Sequence, residues 1–169
     1  MADEIEDEAS AAMEPTLTPL DPRQVWVLTI RAGLIAAALL ILALAADLGP
    51  LRKLPLPAHL LPVAVLALGL IVTLLLPRRR YRRWGYCEGE DELEIQRGML
   101  VRVRTIVPFG RVQHIDIAQG PVQRPFGLAT LILHTAGTQG AEVPLPGLRH
   151  ADAEAMRDRI RAKIRQDLV

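Results

Sequence analysis

A single cysteine, Cys87, is the chain's whole supply of thiol. No internal disulfide can form, which excludes a disulfide-stapled scaffold and fits a reducing compartment. Serine is as scarce: Ser10 stands alone in an acidic leader, so there is no Gly-x-Ser-x-Gly nucleophile elbow. Histidine occurs four times, as His59, His114, His134 and His150. None stands at ligand spacing from another or from Cys87, although His114 and His134 fall on expected strands that can meet in space. No metal and no cofactor are therefore expected. Gly137-Thr138-Gln139-Gly140 lacks the lysine and the following helix of a phosphate loop. The carboxylates Glu88, Glu90, Asp91, Glu92 and Glu94 crowd one expected turn, which reads as a solvated edge and not as an acid–base pair in a pocket. With no catalytic constellation left, the expectation is a protein that is not an enzyme.

What is present is unevenly spread. The formal net charge is only +1, yet residues 1–24 carry seven acids against Arg23. Such a segment, with few large apolar groups, cannot bury enough surface to offset its ordering entropy. It reads as a disordered acidic tail. Two long apolar runs follow, within residues 25–77. Val25 to Ala46 holds an uncharged stretch from Ala32 onward, and Leu56 to Leu76 carries no formal charge at all. A hydrocarbon core needs about 20 helical residues, and spans at about 25–47 and 56–76 satisfy it. Arg31 lies near the start of the first run, where a helical side chain leans toward the N-terminus and can reach the headgroups. Trp26 sits at interfacial depth.

The connection, with Gly49-Pro50, is too short for anything but an antiparallel hairpin. Both chain ends then share one side of the membrane. Arg78, Arg79, Arg80, Arg82 and Arg83 follow the second run, and with Arg23 and Arg31 they outweigh Arg52 and Lys53 in the loop. The positive-inside rule puts both termini on the cytoplasmic side of the membrane. The same five arginines are candidate contacts for anionic lipid headgroups, worth about 1 kcal/mol each near the surface. No nucleic-acid reader motif accompanies them, so membrane lipids are the expected partners and nucleic acid is not.

From residue 78 to 169 the period changes to two. Leu93-Glu94-Ile95-Gln96, Val101-Arg102-Val103-Arg104, Ile115-Asp116-Ile117 and Ala129 to His134 alternate between glycine-bearing turns. Short strands at regular spacing predict an antiparallel sandwich or barrel. Met156, Ile160, Ile164 and Leu168 then recur every fourth position, which predicts an amphipathic helix over 151–168 that caps one end.

Strands closed by one helix are the plan of a pleckstrin-homology (PH) fold. Arg111-Val112-Gln113-His114-Ile115, the run from Gly120-Pro121 to Phe126-Gly127-Leu128-Ala129-Thr130-Leu131, and Thr135-Ala136-Gly137 together resemble the signature of bacterial PH-domain membrane proteins of the YdbS-like type. The resemblance covers roughly residues 22–168. It implies two transmembrane helices ahead of one PH-like domain, no enzymatic activity, and companionship with a larger membrane protein or another copy of the chain. The signature residues Arg111, Gln113, Gly120, Pro121, Phe126, Gly127, Leu128, Thr135 and Gly137 are expected to serve structure, with Phe126, Leu131 and Leu133 in the core. The function expected is a membrane-anchored interaction module, and the competing expectation is a sensor of anionic lipid.

Overall fold

The computed structural model describes residues 17–49, 57, 59–99, 101–136 and 142–166. A two-residue strand β1 (Thr18–Pro19) comes first. Two long helices follow, α1 (Gln24–Leu48) and α2 (Leu60–Tyr81). Both pass the length and composition required to cross a membrane, and their leucines and isoleucines point outward. They form an antiparallel hairpin. A Cβ on Gly69 would sit 3.0 Å from the Cβ of Ala36, so the pair approaches through small residues, as apolar helices in lipid do. At the far end, the His59 Nδ1 lies 2.8 Å from the Asp47 Oδ2 across the loop.

The second helix is longer than its apolar run. It passes through Pro77 and ends at Tyr81, so Arg78, Arg79 and Arg80 occupy its last turn. Cations there face the negative end of the helix dipole.

The rest is a sandwich of two antiparallel sheets. The first has the order β1-β2-β3-β4, with β2 at Gly85–Glu88, β3 at Glu92–Arg97 and β4 at Val103–Pro108. The second has the order β5-β6-β7, with β5 at Val112–Ala118, β6 at Leu128–Thr135 and β7 at Glu142–Arg149. The final helix α3 (His150–Gln166) lies over the sandwich. Among the described residues no strand pairing joins the sheets into a closed barrel, so of the two expected forms the sandwich is the one observed.

The period-two pattern pays off in the core. Leu93, Ile95, Val107, Leu131, Leu133 and Leu145 face inward, and Ala153, Met156 and Ile160 of α3 close over them. Phe109, 1% exposed, fills the middle. Phe126, expected there, is only half-buried: it sits in a 3-10 turn between the strands, outside the core cluster. Leu168 lies outside the described residues.

The start of the domain differs from the sequence expectation. Residues 1–16 lie outside the described residues, but Thr18 pairs with Tyr86, Pro19 with Gly85, and Leu20 is 3% exposed within the core cluster. The Tyr81 hydroxyl donates to the Leu20 carbonyl at 2.7 Å. The segment expected to be a tail through residue 24 thus supplies the first strand of the sandwich. Leu20 supplies what the composition of the segment hides, one large apolar group with a waiting socket. The consequence is topological. Seven strands and a helix make one domain, and the transmembrane hairpin is the connection between β1 and β2. The acidic turn at Glu88–Glu92 joins β2 to β3.

Candidate membrane-facing site

The signature run forms the seam between the domain and α1. Gly120 N–H donates to the Gln123 Oε1 at 3.0 Å, and the Gln123 Nε2 donates to the Thr130 Oγ1 at 3.0 Å. Gln123 is 3% exposed. A buried amide with both ends bonded holds a loop in one shape, because either bond lost would leave an unpaired polar group. Gly127 ends the turn with φ +66°, and its carbonyl accepts from the N–H of His150 at 2.9 Å, tying the loop to the start of α3. Leu128 beside it is fully buried.

Helix α1 docks on this loop. The Arg23 Nη1 donates to the Phe126 carbonyl at 3.4 Å. The Arg31 Nη2 lies 3.4 Å from where a Cβ on Gly120 would stand. Arg31 thus runs back toward the domain, as its tilt implies. Gln24, 3% exposed, packs on Gly147 so closely that a Cβ there would fall 2.9 Å from its Cγ. Asp21 N–H donates to the Gly147 carbonyl at 2.9 Å. Pro121 is exposed at the loop's tip.

The other signature residues sit apart from this seam. Arg111 closes a 3-10 turn, and its carbonyl accepts from Ala136 N–H at 2.9 Å. Gln113 occupies a bulge in β5, Thr135 pairs with Val112, and Gly137 lies outside the described residues. The role of Gln123 is not legible in the sequence. Its signal was weak, a neutral polar residue inside an otherwise readable block.

A second feature lies where α2 ends. The β3–β4 turn returns to the end of α2, and a groove there is lined by Leu76, Arg80, Trp84, Arg97, Met99 and Val103. Arg82, Arg83 and Arg102 continue it toward β1. The Arg83 Nη1 donates to the Met99 carbonyl at 3.4 Å. Arg97 and Arg102 thus join the run that follows α2, a convergence the sequence spacing does not reveal. Arg104 lines the same groove and holds Glu94 through Nε–Oε1 at 2.6 Å and Nη2–Oε2 at 2.7 Å. The acidic turn is not wholly solvated either. Glu88 takes a two-bonded contact from Arg159 of α3 at 2.9 and 2.7 Å. Burial, reinforced by Asp152 and Glu88 and opposed by Arg159, holds the nearby Tyr86 phenol above its ordinary pKa.

β4 is an open edge. It pairs with β3 along its whole length and with no other strand among the described residues. Val101 just ahead of it is 72% exposed, and Val103 and Ile106 on it are 42% and 47% exposed.

On the outer face of the second sheet, the strand register sets His114 opposite His134. The rings stack at 3.9 Å between centroids, and the His134 Nε2 lies 3.1 Å from the Asp116 Oδ2.

These features agree with the comparisons. A family model described as "Bacterial PH domain" matches residues 27–164, a span that takes in all but the first turn of α1, the whole of α2 and every described strand but the first. The UPF0699 transmembrane protein YdbS of Bacillus subtilis (strain 168) is 42% identical over 98 residues, which are 57% of this chain and 60% of that protein. The match therefore spans 60% of the relative's length, less than two thirds. No solved structure matches the chain. A two-helix apolar hairpin set into a seven-stranded sandwich with a closing helix, together with these matches, shows that the chain is a YdbS-like membrane protein and belongs to the bacterial PH domain family.

Proposed function

We propose that the chain is a non-catalytic docking module of the bacterial cytoplasmic membrane, with its PH domain on the cytoplasmic side, and that it assembles with another membrane protein by accepting an extended segment at β4. The observation that carries this reading is the open edge. Six residues of β4 have one paired side, and three apolar side chains stand exposed along the strand and its approach. Such an edge is a template for strand addition, with main-chain bonds giving affinity and exposed apolar side chains giving selectivity. Its start lies beside the end of α2, so a partner held in the same bilayer meets it at high effective concentration.

A photo-cross-linking residue at Ile106, in the full chain in its native membrane, is expected to trap a membrane protein through an extended segment. The same residue at His114, on the opposite sheet, is expected to trap none. Ile106→Lys is expected to abolish co-purification of that partner from mild detergent. Equal trapping at both positions, or a partner that survives Ile106→Lys, contradicts strand addition.

The groove beside α2 favours a second reading, attraction to anionic lipid. Arginines around an apolar floor of Leu76 and Met99 suit a headgroup and the top of its acyl chain. The interaction would track total anionic charge and weaken with salt.

The cytoplasmic orientation rests on the arginines of α2 and has its own test. Cys87 is half-buried on β2, and a membrane-impermeant maleimide is expected to label it only after cells are permeabilised, with a denatured control to show the thiol is reactive. Labelling in intact spheroplasts reverses the orientation.

A further inference from the structure

We propose that His114, Asp116 and His134 form a site for one transition-metal dication of the Zn2+ class on the outer face of the second sheet. Each residue offers one ligand atom, and these atoms lie within 4.8 Å of one another. In a tetrahedral zinc site the donor atoms stand about 3.3 Å apart, given metal–ligand bonds near 2.0–2.1 Å. Closing the difference requires the two stacked imidazoles to swing out of their nearly parallel arrangement so that one nitrogen of each converges on the ion. Turns about the side-chain torsions supply that swing, and the exposure of His114 and Asp116 leaves room for it.

Strand pairing does the assembly. β5 and β6 run antiparallel with His114 opposite His134, while Asp116 stands opposite Ile132, the next outward position. Inward neighbours Leu131 and Leu133 are fully buried, which fixes the face on which the three ligands stand.

An orienting carboxylate also stands near His134, beyond hydrogen-bond distance until the ring turns. A ligating imidazole commonly donates its second N–H to a carboxylate, which sets the tautomer and the ring plane. His134 has Asp116 at its Nε2, 3.1 Å away, and Glu142 of β7 at its Nδ1, 3.9 Å away. Metal on Nε2 puts the proton on Nδ1, facing Glu142. The donor set, two nitrogens and one carboxylate, suits zinc, nickel or copper and not the all-oxygen preference of magnesium or calcium. The fourth position opens to solvent and is filled by water.

The test is a titration of the tag-free full chain in mild detergent, stripped with a chelator, against ZnCl2 in competition with a chromophoric chelator. One Zn2+ per chain is expected to bind at this site, and its binding is expected to disappear in His114→Gln and in His134→Gln. Glu142→Gln is expected to weaken it by about tenfold, the loss usual for an orienting group. Magnesium in excess is expected not to compete. Co2+ in place of zinc is expected to give the visible absorption of tetrahedral nitrogen–oxygen coordination in the wild type and not in the histidine variants. Circular dichroism separates lost binding from lost fold. No saturable binding by the wild type overturns the proposal. So does zinc binding unchanged in the doubly substituted His114→Gln, His134→Gln chain, which would assign the ion to His59 with Asp47, to His150 or to Cys87.

Discussion

Gly98→Val is expected to destabilise the PH domain by about 3 kcal/mol or more, the sum of backbone strain and displaced main chain. Gly98 turns β3 into β4 with φ +130°, a conformation closed to a β-branched residue. Space is short as well. A Cβ there would fall 1.8 Å from the Val101 carbonyl oxygen and 2.9 Å from its carbon. Those are backbone atoms and cannot swing aside as a long side chain would. The turn must open, and with it the Arg97–Val103 pairing that starts β4. Chemical denaturation in detergent checks this, followed by the fluorescence of Trp84, which packs on the core, in a Trp26→Phe background. Gly127→Val is the informative contrast. Gly127 also has positive φ, at +66°, but a Cβ there would meet nothing within 4 Å. Its substitution is expected to cost only the left-handed strain, about 1–2 kcal/mol. If Gly127→Val proves the more damaging of the two, the β3–β4 turn is not built as described.

The contrast shows what a sequence can and cannot reveal. The signature block draws the eye to Gly127, whereas Gly98 sits in an ordinary Arg-Gly turn. Only the three-dimensional closeness of Val101 separates them. The hairpin was legible because about 20 apolar residues in a row have few other uses. Helix α3 was legible because its apolar residues keep a four-residue step. β6 was legible from clean alternation. β7 was not, because Pro144 and Pro146 break the pattern of a strand. It tolerates them as an edge strand, paired with β6 alone among the described residues. β4 begins two residues later than the alternation suggests, since Val101-Arg102 belongs to the turn.

The candidate sites were legible in proportion to how local they are. The arginines after α2 stand together in sequence and could be read. Arg97 and Arg102 join them only because the β3–β4 turn folds back to the membrane end of α2. His114 and His134 meet through register, a property of two paired strands that no ligand spacing encodes. Gln123 was hidden because burial, not residue type, makes an amide structural.

The hairpin is inserted within the PH domain, so that a residue ahead of α1 belongs to the core behind α2. Leu20→Ala tests it most directly. Leu20 is 3% exposed and lies with Leu93, Val107 and Leu131 in one cluster. Truncating it removes buried methyl groups and leaves a cavity, expected to cost about 2–5 kcal/mol. The measurement is native-state hydrogen exchange of the β6 amides, Leu128–Thr135, in the full chain in mild detergent. These amides lie on the far sheet and report opening of the whole domain. The account predicts that their protection falls by that same free energy in Leu20→Ala, while Leu42→Ala, on the exposed face of α1, leaves it unchanged. Equal β6 protection in wild type and Leu20→Ala would contradict the account, because Leu20 would then lie outside the core of the domain.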